Sequence, residues 1–120
     1  MIITKDNNYP RIIMIINDFN ELEAKTLLKE IIRINHKSKE EKTFINFHID
    51  LFYLNDYSIS SIQKVIDELS QYSFEYVNTI KLYLNKNSSN IMLKSAIYMY
   101  KIQYDLPIEY TETEKHIVLK

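Results

Sequence analysis

The sequence predicts a single α/β domain over residues 1–120, built on a mostly parallel sheet with helices packed mainly on one face. Three observations predict it. First, apolar residues switch repeatedly between a period of two and a period of three to four, in the order strand, helix, strand, helix, strand, helix, strand. Second, strands alternating with helices close into parallel sheets through right-handed crossovers. Third, the middle strand alternates apolar and polar residues, which fits a sheet covered on one face only.

Along the chain, Ile2 and Ile3 suggest a short edge strand, and Asp6 to Pro10 a turn. Arg11 to Ile16 is an apolar run suited to a sheet interior. Asn17-Asp18-Phe19-Asn20 offers helix caps, and a helix follows from about Glu21 to Ile34. Its apolar face is Leu22, Leu27, Leu28, Ile31 and Ile32, and His36 to Lys42 reads as a solvated loop. The central strand spans Phe44 to Leu54, where Ile45, Phe47, Ile49 and Leu51 alternate with Asn46, His48 and Asp50. Ile59, Ile62, Val65, Ile66 and Leu69 then form one face of a helix from about Ser58 to Tyr72. Phe74 is placed to fold back on the core. Thr79 to Leu84 is a third strand, and Asn85 to Asn90 a polar turn. A last helix from about Ser89 to Tyr104 is apolar around more than half its girth, and Pro107 stops it. Ile108 to Tyr110 and His116 to Leu119 are short terminal strand candidates.

Composition excludes several function classes. With 46% hydrophobic residues, 120 residues can bury a core without disulfide or metal. There is no cysteine, hence no thiol catalysis and no Cys-ligated zinc. There is also no glycine, which argues against the backbone loops that cradle nucleotide phosphates. The net charge of −1 is spread along the chain and provides no basic footprint for nucleic acid or acidic lipid. The start of the chain lacks a signal peptide's pattern, and no apolar run approaches membrane-spanning length. The expectation is a soluble cytoplasmic protein with no cofactor, nucleic acid or membrane partner. His36, His48 and His116 have no metal-ligand spacing and neighbour no nucleophile, so each is expected to be structural. His48 and Asp50 share the polar face of the central strand, expected to be solvated or covered by side-chain stems, and no paired carboxylates support acid–base catalysis.

The turn Asn55-Asp56-Tyr57-Ser58, between the central strand and its helix, is the candidate site. The order of elements is similar to that of a STAS domain, the fold of bacterial anti-sigma-factor antagonists, whose phosphorylated Ser or Thr opens the helix after the central strand. The middle of the chain more closely resembles the SiaC family of STAS-like regulatory phosphoproteins, through Tyr53-Leu54-Asn55-Asp56-Tyr57-Ser58-Ile59 and Asp105-Leu106-Pro107-Ile108. The resemblance covers about Ile45 to Tyr110. It implies a STAS-like fold and non-enzymatic partner switching with a kinase, a PPM-type phosphatase and a diguanylate cyclase. The family's phosphorylated Thr falls on Asp56, and the serine after it on Tyr57. Ser58 keeps its type. The family's Ser-Tyr-Pro-Glu-Asn segment is replaced by Asn17-Asp18-Phe19-Asn20-Glu21.

Each residue of the turn also has a simpler reading. Asp56 serves equally as a helix cap or as a fixed negative charge where relatives carry phosphate. Ser58 is a cap or a substitute phospho-acceptor, and Tyr57 a partner anchor or a ring on the sheet edge. Two other functions stay open: a STAS-type anti-sigma-factor antagonist, and a small inhibitor or immunity protein held in a tight complex.

Overall fold

The computed structural model describes residues 2–6, 11–16, 20–54 and 58–115, with backbone only for 2–6. Strands β1 (Ile2–Asp6), β2 (Arg11–Ile15), β3 (Ile45–Asp50), β4 (Val77–Asn85) and β5 (Ile108–Thr113) form a five-stranded sheet in the order β1-β2-β3-β4-β5. β1 runs antiparallel to β2, and β2 to β5 are mutually parallel. Helices α1 (Glu21–Glu41), α2 (Ile59–Leu69) and α3 (Ile91–Gln103) connect the parallel strands. The three crossovers all step the same way across the sheet. Crossovers of one hand stepping one way lay their helices on one face. The core shows this: all three helices join the same buried cluster as alternate strand residues. Across the sheet, Ile12, Phe47, Ile80 and Ile108 stand in one register row, and Met14, Ile49 and Leu82 in the next. The molecule is thus an α/β domain with a mostly parallel sheet and helices on one face, an arrangement compatible with a STAS-like fold.

Several boundaries differ from the sequence reading, each for a local reason. Asn20 begins α1, its Oδ1 accepting the Glu23 N–H at 2.9 Å. The helix then continues through the stretch His36–Lys42 that reads as a loop. Asn35 and Ser38 are buried there, and Asn35 Nδ2 donates to the Ser73 carbonyl at 3.0 Å. The His36–Glu40 and Lys37–Glu41 pairs, at 3.2 and 4.0 Å, line the exposed side. Lys42 ends the helix in the left-handed region at φ 53°. Leu22, assigned to the apolar face of α1, is instead exposed. β3 is shorter than the apolar run suggests: Phe44 lies outside it and exposed, and the chain turns at Phe52 and Tyr53. Phe74 does pack against the core. The proposed strand at His116–Leu119 lies outside the described residues.

Candidate partner-binding site

β3 is the central strand, and its C-terminal end is pinned before the chain reaches α2. Leu51 N–H donates to the Tyr83 carbonyl at 2.9 Å, extending the pairing with β4 by one residue. Asp50 Oδ1 then accepts the Phe52 N–H at 2.9 Å, the turn an Asp makes two residues ahead of itself. Leu54 N–H closes the turn on the Leu51 carbonyl at 3.0 Å. Asp50 is buried, at 1% exposure, so of the two expectations for its face the covered one holds at this position. It stands in register between Ile15 and Tyr83, with its carboxylate turned onto its own chain.

Of the four residues of the candidate turn, Asn55, Asp56 and Tyr57 lie outside the described residues. Ser58 is described: it stands at the N-cap of α2, buried at 5% exposure. Its backbone is near-helical and its hydroxyl makes no capping bond, while its carbonyl accepts the Ile62 N–H at 3.1 Å. A buried hydroxyl offers a kinase no access in this conformation. α2 carries no acidic residue in its first turn, so its first N–H groups keep the usual preference for an anion just upstream.

The Asn85–Asn90 turn is brought to the same sheet edge, on the adjacent strand. It is held by Asn85 Oδ1 accepting from Asn87 N–H and Asn90 Nδ2 donating to the Asn85 carbonyl, both at 2.9 Å. Lys86 N–H reaches the Thr113 carbonyl at 2.8 Å and ties the turn to the end of β5. A groove of about 250 Å³ runs between the first two turns of α1 and the length of α2, with Glu21, Lys25, Leu28, Ser61, Lys64 and Glu68 in its walls. The strand order never reverses, so the connectivity of this sheet contains no topological switch point. It is a row of turns and helix starts.

The sheet face away from the helices carries a cluster that sequence reasoning did not assemble. His48 Nδ1 and the Tyr83 hydroxyl lie 2.8 Å apart, with Arg11, Lys81 and Glu109 around them. The pairing follows from parallel register: His48 stands opposite Lys81, and Asp50 opposite Tyr83. Burial, then the positive charges of Arg11 and Lys81, hold the His48 pKa below its ordinary value of 6.5. Burial first also raises the Tyr83 pKa. A neutral phenol and a neutral imidazole share this hydrogen bond. Folding disfavours the imidazolium, so the stability this pair contributes is fully present above about pH 6.5 and declines as pH falls through that value. In urea titrations between about pH 8 and pH 5, the parent should lose stability relative to His48→Gln on the acid side. Parallel curves for the two proteins would refute the assignment.

Among the described residues no helix is long and apolar enough to cross a membrane, and no group of three or more His, Asp or Glu is placed to hold a metal ion. No known protein family, no curated protein and no solved structure matches the chain in comparison.

Proposed function

We infer that the chain is a non-enzymatic regulator that acts by binding protein partners through the edge formed by residues 55–58, the start of α2 and the Asn85–Asn90 turn. The observation that carries this reading is the edge itself. The central strand ends in a pinned turn, the next helix begins without an acid or a hydroxyl cap from Ser58, and a second ordered turn lies beside it on the adjacent strand. A row of turns and helix starts suits a macromolecular surface. Together with the resemblance of residues 53–59 to the SiaC family, it supports a bacterial partner switch involving a kinase, a phosphatase or a diguanylate cyclase. A STAS-type anti-sigma-factor antagonist would use the same edge.

In this reading Asp56 is a fixed anion where relatives carry a reversible phosphate. A carboxylate supplies one negative charge and two acceptor oxygens, against about two charges and three oxygens for phosphate, so it mimics one signalling state in part. It cannot take phosphate from a serine/threonine kinase as a hydroxyl does. Asp56→Thr should restore an acceptor at little cost to the fold, because Thr is also a good helix cap. The measurement is intact mass after incubation with ATP and the kinase encoded nearest to this protein. The expected result is one phosphate on Asp56→Thr and none on the parent. Phosphate added equally to the parent would end the locked-state reading, and binding of neither protein to kinase, phosphatase or cyclase would end the partner-switch reading.

A further inference from the structure

Helix α3 has two apolar faces, and the fold uses one. Leu93 and Ile97 enter the core. Tyr100 lies toward α2, its hydroxyl donating to Asp67 Oδ1 at 2.8 Å. Lys94 lies toward β5, with Nζ 3.0 Å from Glu112 Oε1 and 5.9 Å from the centre of the Tyr110 ring. The remaining arc carries Ile91, Met92, Tyr98, Met99 and Ile102, exposed at 69, 71, 66, 46 and 64%. Ile91, Ser95, Tyr98 and Ile102 follow four-three-four spacing along one line, flanked by Met92 and Met99. Exposed Lys101 and Gln103 border this face, and an apolar patch with a polar rim is the usual mark of a contact surface.

We propose that this second face of α3 is the seam of a symmetric homodimer, in which α3 packs antiparallel against α3 of a second copy. Area is the first argument. At roughly 200 Å² for a fully exposed large residue, the five present about 600 Å² of surface, most of it apolar. That is at the top of what monomers expose and three quarters of the ~800 Å² per partner that stable complexes bury. Charge is the second: none of the six residues of the face is ionisable to a charge near neutral pH, which matches the apolar character of homodimer seams. The third is self-complementarity, which a two-fold interface demands of a single surface. Folded back on itself about the point between Ala96 and Ile97, the line places Ile91 against Ile102 of the copy and small Ser95 against Tyr98 of the copy. Large meets small, so the helices can approach closely with the tyrosines interleaved. The candidate edge at residues 55–58 contributes nothing to this seam, and the inference stands independently of the partner-switch reading.

The test is sedimentation equilibrium of the full chain from about 1 to about 200 µM, a span that brackets micromolar dissociation constants. The parent should show a monomer–dimer equilibrium. Tyr98→Glu and Ile102→Glu should each weaken it at least about 100-fold, because a charge is buried without a partner at the centre or end of the seam. Both residues are exposed in the single chain, so circular dichroism and the urea midpoint should stay near those of the parent. Leu22→Glu, on the exposed side of α1, should leave the equilibrium unchanged. A parent that stays monomeric over the whole range overturns the proposal, as does a dimer that tolerates both substitutions on α3.

Discussion

Phe47→Ala is expected to cost about 3–5 kcal/mol of folding stability, the usual range for emptying a buried phenylalanine site. Phe47 is fully buried at 0% exposure in the middle of β3, in the row that runs from Ile12 to Ile80 and Ile108. Strands on both sides of β3 are hydrogen-bonded to it, so the backbone cannot close over the space. The lost transfer energy and the residual cavity therefore add. A urea titration reads the loss as a lower midpoint at unchanged slope. A loss below about 1 kcal/mol would place Phe47 outside the core that the register rows define.

Asp50→Ala is expected to have the second large effect, about 1–3 kcal/mol, for a different reason. Removing the carboxylate takes the acceptor from the Phe52 N–H at a position where the strand end is buried. Asp50→Asn keeps an oxygen at Oδ1 and should recover most of the stability. Amide hydrogen exchange gives the local readout: protection at Phe52 should fall in Asp50→Ala and persist in Asp50→Asn. Equal losses in the two variants, with Phe52 exchange unmoved, would show that the side chain stabilises the strand end in another way. Because Asp50 holds the turn that leads from β3 into the candidate site, the alanine variant should also bind partners less well than its stability alone requires.

The order of elements and the covered face of the sheet were legible because both follow from periodicity. Ile45, Phe47 and Ile49 occupy the core as their alternation implies. Ile62, Val65, Ile66 and Leu69 bury the face their spacing implies. What failed was legibility at element ends. The last turns of α1 carry Asn35 and Ser38 buried, Asn35 donating to the distant Ser73 carbonyl and Ser38 to the Asn35 carbonyl, and periodicity counts such polar residues as solvent-facing. Conversely, Phe52, Tyr53 and Leu54 read as strand because they are apolar, yet Asp50 bends the backbone away from the ladder and leaves Tyr53 exposed. The candidate turn was found from its place between two periods and from resemblance, and of its four residues only Ser58 lies among those described. The His48–Tyr83 pair was not legible, since it depends on which residues of two parallel strands come level. The second apolar face of α3 was visible in the sequence as an excess of apolar residues, without an indication of which of them the fold leaves over.

The order of the strands across the sheet is their order along the chain. Each strand after the first pairs with its immediate predecessor, so no strand has to be threaded between two that are already joined. Assembly can advance by nearest-neighbour addition, with every crossover closing a loop of tens of residues rather than one spanning the domain, and short closures form fastest. A chain emerging from the ribosome could add one strand–helix unit at a time, leaving a single growing edge unpaired at each stage. Sheets with inserted strands expose two such edges while they wait for the missing piece, and unpaired edges are what invite aggregation.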